Sequence, residues 1–183
     1  MKNKIVVFLL ALVCFSACKH KPEDVISTTQ KLCAEIDKKL PDYTQKHVDD
    51  LTSLGQGAIT GYYRESEIKK IYAEHFGEKS RTFTEYYFDD GMLIYTRVQD
   101  FIYNKPNTYT EDKAKQNNDS VWYDDRKTRL ETNTFYFGGK NILIKWVGPE
   151  NDVPASDPEF INKQEEIWAQ AAILLKELKE QDQ

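Results

Sequence analysis

The stretch EYYFDDGMLIY, residues 85–95, sets two adjacent carboxylates, Asp89 and Asp90, between an aromatic and an aliphatic run. Two carboxylates in unlike surroundings can divide acid and base work between them. Asp-Gly between strand-like runs is also a hairpin signal, because both central residues of a type I′ turn need positive φ. Choosing between these readings decides the fold, and other parts of the chain make the choice. YYFDDGMLIYTRV at 86–98 aligns without gaps to FYFGGKNILIKWV at 135–147, an offset of 49, and YYRESEIKKI at 62–71 is a weaker copy at an offset of 24. In those copies Gly138-Gly139 and Glu65-Ser66 stand where the acidic pair stands, so the position takes turn residues. Three copies predict three similar hairpins.

Outward from the repeat, runs rich in Tyr, Phe, Ile and Thr predict six strands, at 58–64, 68–76, 81–88, 92–103, 129–137 and 141–147. Short links between them predict antiparallel neighbours, the exception being a polar loop at 105–127. Val25, Thr29, Leu32, Cys33, Ile36 and Leu40 recur at helical spacing over 24–40, and Pro41 ends that helix. A second helix is predicted over 43–54, with Val48 and Leu51 on one side and a stop near Gly55 and Gly57. Asp157-Pro158 predicts the start of a C-terminal helix whose apolar stripe is Phe160, Ile161, Trp168, Ala171, Ala172, Leu175 and Leu178. The expected fold is α+β: an antiparallel meander of about six strands in three hairpins, packed by N-terminal and C-terminal helices.

The N-terminus predicts location. Lys2 and Lys4 precede an apolar run from residue 5 to 15 that is too short to span a bilayer, which is the form of a secretory signal. It ends in Phe15-Ser16-Ala17-Cys18, small residues before a cysteine, which looks like the lipobox of bacterial lipoproteins. The expected organisation is a signal peptide at 1–17, a tether at 18–24 and one domain at 25–183, held to the membrane by acyl chains on Cys18. Lysine rather than aspartate after the cysteine favours the outer membrane, with the periplasmic and outer faces both open.

Removing residues 1–17 leaves 166 residues, enough for one domain with a core, and moves the formal charge from −5 to −7. An acidic domain with no basic patch argues against nucleic acid. Cys33 is then the one cysteine left beside the acylated Cys18, so no intramolecular disulfide is expected, and its apolar neighbours at helical spacing predict a buried structural thiol rather than a nucleophile. His20, His47 and His75 lack the spacing of a zinc site, and neither a metal nor a cofactor is expected.

Two features remain as candidate contacts. In the loop NNDSVWYDDR, 117–126, the oxygen-bearing side chains do not follow the spacing of an EF-type calcium loop. Long loops do carry binding groups, so Asp119, Trp122, Tyr123, Asp124 and Asp125 are the candidate contact residues there. The strand tyrosines Tyr86 and Tyr95 are the others, since an exposed aromatic face can stack on a sugar or anchor a protein. The competing reading is that tyrosine simply suits a half-buried pleated surface.

TGYYRESEIKKI (60–71), FGE (76–78), EYYFDDGMLIY (85–95), FYFGGKNILIKW (135–146) and the amphipathic C-terminal helix together resemble a group of uncharacterised small lipoproteins and secreted proteins of Bacteroidota. Met92, where a lysine usually follows the turn glycine, and the additional Asn141 depart from the group's pattern. The resemblance covers residues 57–180; it implies the architecture and the envelope location, and it supplies no catalytic residues. The expected function is a lipid-anchored envelope module that binds a protein or glycan partner. The alternatives are an envelope hydrolase using Glu85, Asp89 or Asp124, and an inhibitor of a secreted hydrolase acting through the 105–127 loop.

Overall fold

The computed structural model describes residues 21–49 and 56–180. The expected signal peptide, Cys18 and residues 50–54 of the expected second helix lie outside the described residues. Helix α1 (Pro22–Lys39) carries proline in its first turn, where a missing N–H costs nothing, with Glu23 and Asp24 at its positive end and Lys38 and Lys39 at its negative end. Residues 22–24, read from the sequence as tether, are therefore helical. Pro41 stands in a short 3-10 turn, Leu40–Asp42, that ends the segment.

No helix follows at 44–49. Thr44–Asp49 is a strand, β1, in which Lys46 and Val48 are half-buried and alternate with exposed neighbours. That two-residue period was hidden because the helical reading leaned on only Val48 and Leu51. Pairing with the next strand, from Thr44↔Tyr63 to Asp49↔Ala58, satisfies the β1 backbone.

Seven more strands complete a single antiparallel sheet: β2 (Gly57–Arg64), β3 (Glu67–Phe76), β4 (Ser80–Asp89), β5 (Met92–Ile102), β6 (Arg129–Gly138), β7 (Ile142–Val147) and β8 (Asp152–Val153). Their spatial order is their chain order, β1 to β8. The sheet thus has eight strands where the sequence predicts about six, and the two additional ones are its edges. One had been read as helix; the other, two residues long, is too short to leave a period. The 105–127 loop folds a short helix α2 (Glu111–Gln116), capped by Thr110, and a 3-10 turn at Asp125–Lys127.

Helix α3 (Pro158–Glu180) starts where the Asp157-Pro158 signal puts it, with Asp157 Oδ1 accepting from the Glu159 N–H at 2.8 Å. Its sheet-facing stripe is Phe160, Ile167, Ala171, Leu174 and Leu178. Ile161, Trp168 and Ala172, which the sequence puts on the stripe, are exposed, because a turn of about one residue around the axis brings Ile167 and Leu174 inward instead. Gly61 lies beneath its last turns. A Cβ there would meet Leu178 at 2.9 Å, so the absence of a side chain is what lets α3 approach β2. No helix of the described residues is long and apolar enough to cross a membrane.

The two long helices cover opposite faces. Ile59, Ile71, Tyr86, Phe88, Phe135 and Phe137 pack with the α3 stripe, whereas Tyr87 packs with Cys33 and Ile36 of α1. This explains the unbroken aromatic runs. Tyr86, Tyr87 and Phe88 are each 2 % exposed, pointing alternately to α3, α1 and α3 in a sheet buried on both sides.

Each hairpin of the repeat carries a bulge at the same place, where Lys69, Ile94 and Ile144 are skipped by the register beside Tyr62/Tyr63, Tyr87/Phe88 and Tyr136/Phe137. These registers make Leu93 equivalent to Leu143 and Phe88 equivalent to Phe137, so the ungapped alignment of the second and third copies fails by one residue after the turn. Likewise Tyr62 corresponds to Tyr87, an offset of 25 rather than 24. In the middle hairpin Asp89 is the last strand residue, paired with Met92, and the turn is Asp90-Gly91 at φ 47° and 72°. The turn reading therefore holds for Asp90, while Asp89 belongs to β4.

Candidate functional site

Three rows of side chains cross the sheet on the α3 face, set by the register alone. Ile71, Tyr86, Thr96, Phe135 and Trp146 are successive partners across β3 to β7. Two residues along each strand the row is Ala73, Thr84, Val98 and Asn133, and two further it is His75, Thr82, Asp100 and Glu131. The first row is mostly large and fills the space up to α3. Side chains in the second are short, so the helix and the sheet do not meet there. The result is a cavity of about 420 Å³. Its floor and walls are apolar, from Ala73, Val98, Tyr86, Phe135, Trp146 and Leu174, and its rim is polar.

At the rim, the Thr82 hydroxyl donates to Asp100 Oδ1 at 2.6 Å. Trp146 Nε1 donates to Asn133 Oδ1 at 2.9 Å, which fixes the indole against the Phe135 ring, 5.4 Å away between centroids. Tyr86 donates its hydroxyl to Gln170 of α3 at 3.3 Å, and burial, with Glu166 nearby, pushes that phenol well above its ordinary value. Lys163 and Glu166, one helical turn apart on α3, pair at 2.5 Å. His75 Nδ1 is buried without a hydrogen-bond partner among the described residues. A shallower hollow of about 520 Å³ adjoins the cavity, with Asn133 and Trp146 as the wall between them.

On the other face, α1 covers a charged cluster. The Lys70 ammonium, 5 % exposed as a residue, lies 2.8 Å from Asp37 Oδ1, 2.7 Å from Glu85 Oε1 and 2.7 Å from the Tyr87 hydroxyl. Arg97 holds the other Glu85 oxygen. Burial, then the Glu85 and Asp37 carboxylates, raise the Tyr87 phenol far above its ordinary value, and burial with Asp37 pushes the Cys33 thiol up to about 12. Each charge here has its counter-charge, and the cluster joins α1 to the sheet.

A second cluster stands at the hairpin tips, where the carboxylates of Glu67, Asp89 and Asp90 come within 4.8 Å of one another. The Lys69 ammonium reaches Glu67 at 2.6 Å and Asp89 at 3.2 Å. Burial alone would lower the Lys69 ammonium, but these two hydrogen bonds outweigh it and hold the group above its ordinary value. Lys69 thus pairs with two of the three carboxylates, Glu67 and Asp89.

Of the candidate residues from the sequence, only Tyr86 reaches the cavity, as a buried wall. Tyr95 packs on the α1 side between Tyr87 and Tyr136, at 5.5 and 5.2 Å between ring centroids. The loop acids organise the loop itself. Asp119 accepts from Lys105 at 2.9 Å and from the Val121 N–H at 2.9 Å, Asp124 pairs with Arg126 at 2.9 Å, and Asp125 accepts from Tyr123 at 3.1 Å. Tyr123 stacks edge-on against Tyr103, 5.2 Å away, and Trp122 remains 40 % exposed. None of these loop residues lines the cavity. Glu85, Asp89 and Asp124, the acids considered for hydrolysis, stand in three separate places, each beside a cation.

Of the cavity residues, His75 was weighed from the sequence only as a zinc ligand, and Asp100, Asn133, Lys163 and Gln170 were not singled out. Their one trace is polar residues at inward positions of strands that are apolar elsewhere, as in Thr82, Thr84 and Tyr86, or Thr96, Val98 and Asp100. Compared with family models, curated proteins and solved structures, the chain matches none of them significantly, so the reading of this site rests on its own geometry.

Proposed function

We propose that the protein is a lipid-anchored cell-envelope binding module whose ligand enters the cleft between α3 and the sheet. The observation that carries this is the gap over Ala73, Thr84, Val98 and Asn133, about 420 Å³ with apolar walls and a few polar groups at the rim. Ligand sites have this composition and size. The space suits one ring or one side chain of a partner, which is how a glycan end or an exposed protein segment would be held. Aromatic walls at Tyr86, Phe135 and Trp146 supply contact area, and Asn133 and Gln170 supply hydrogen bonds.

Anchoring rests on the Phe15-Ser16-Ala17-Cys18 motif and on the resemblance to small Bacteroidota lipoproteins, and Lys19 after the cysteine favours the outer membrane. Its test is metabolic labelling with palmitate: the wild-type chain takes label and Cys18→Ser does not, and label on the variant defeats the anchor. For the cleft, full-length protein in detergent is applied to glycan and peptide arrays beside Val98→Trp, which fills the gap. Array members bound by the wild type and lost by the variant support the reading. Equal binding by both, or release of a cleaved product, overturns it.

A further inference from the structure

We infer that the group this cleft takes is a small organic cation, an ammonium on an apolar ring or stem. The inference deepens the proposed binding role and rests on the cleft being the ligand site. Three observations converge. Asp100 stands at the rim with one carboxylate oxygen held by the Thr82 hydroxyl at 2.6 Å, and among the described residues no lysine or arginine pairs with it. The α3 cation that lines the cleft, Lys163, is engaged by Glu166 at 2.5 Å and so does not cancel Asp100. Glu131, the cross-strand partner of Asp100, is taken up by Arg129 and lines the neighbouring hollow, so among the residues lining the cleft Asp100 is the carboxylate without a cationic partner.

A half-buried carboxylate beside an apolar cavity loses hydration without recovering it from a counter-charge. An incoming ammonium restores that interaction, while Trp146, Phe135 and Tyr86, which line the cleft two rows further along the strands, give the apolar ring or stem its contact area. An anionic ligand of the same shape meets Asp100 and is rejected by like charge. A neutral one gains the apolar contact alone.

Calorimetry on the full-length protein in detergent, with three compounds sharing one ring, tests this: phenethylammonium, 2-phenylethanol and 3-phenylpropanoate. On the wild type, the ammonium is expected to bind at least tenfold more tightly than the alcohol, with no detectable binding of the carboxylate. Asp100→Asn, which keeps the Thr82 hydrogen bond, brings ammonium and alcohol within about twofold, and Val98→Trp abolishes both. Equal affinities on the wild type, or a preference for the carboxylate, overturn the cation inference and leave the cleft as ligand site. Ammonium binding that survives Val98→Trp overturns it as well, by placing the cation elsewhere. If the wild type binds none of the three at millimolar concentration, the cleft reading falls and the inference falls with it. The wild-type ranking needs no variant, so a failure of Asp100→Asn to fold leaves the test standing.

Discussion

Lys70 ties α1 to the sheet through charge rather than apolar packing. Its ammonium is buried and serves Glu85, Asp37 and Tyr87 at once. Removing it takes the donor from Glu85 Oε1 and the Tyr87 oxygen, though Arg97 still holds the other Glu85 oxygen and Asp37 still accepts from Tyr87. The loss therefore stays below about 3–5 kcal/mol, the cost of a buried charge left wholly unpaired. Asp37 is nearly half exposed, and exposed ion-pair partners contribute about 0–1 kcal/mol. Urea unfolding should therefore show Lys70→Ala less stable than Asp37→Ala; equal losses would mean that the cluster is no tighter than a surface pair. Cys33 gives the alkaline counterpart. Its folded value of about 12 stands above the ordinary 9.0, so the folded chain keeps a proton that the unfolded chain releases. This contribution is whole below pH 9.0 and is lost as pH rises towards about 12. The melting temperature of the wild type should fall more steeply than that of Cys33→Ala above that lower bound, and parallel curves would rule the thiol out as a source of the slope.

At the scale of the element, the hairpin turns show how much of the repeat is local chemistry. Gly91 sits at φ 72° with nothing within 4 Å of an added Cβ, so Gly91→Ala tests backbone conformation alone. Left-handed residues other than glycine cost about 1–2 kcal/mol. Gly139, equally open and without positive φ, should accept alanine within about 0.5 kcal/mol. Thermal melts of the two variants compare the sites directly, and a tolerant Gly91 would remove the turn as the reason for the Asp-Gly pair. These turns and the aromatic runs beside them were legible in the sequence because both depend on neighbours two or three residues apart. The bulges at Lys69, Ile94 and Ile144 were not, since a bulge is a relation between two strands, and an alignment of single strands slides past it. For the same reason β1 passed for a helix: its two-residue period needs β2 beside it to be recognised.

For the whole molecule, eight strands in chain order make a sheet whose inner members are covered on both faces and whose outer members are not. Local opening follows such differences in burial. Amide hydrogen exchange should be slowest in β3 to β6 and fastest in β1 and β8; protection of β8 equal to that of β4 would contradict the edge position. The 105–127 loop should hold together through its acids, because hydrogen bonds from Lys105 and the Val121 N–H keep Asp119 below its ordinary value, as Arg126 does for Asp124.

The sequence by itself determined what depends on short range: the repeated hairpins, their turn residues, the helix start at Asp157-Pro158 and the amphipathic α1. It carried the α+β antiparallel meander through the lengths of the links. Only the tertiary structure decided that α1 and α3 take opposite faces, so that Tyr86 and Tyr87, neighbours in sequence, look into different layers. It also decided the cleft. Ala73, Thr84, Val98 and Asn133 are scattered over four strands and sixty residues of chain, and their shortness matters only because the register aligns them beneath one helix. A cavity is what side chains fail to fill, and that failure is visible only when all of its walls are in place.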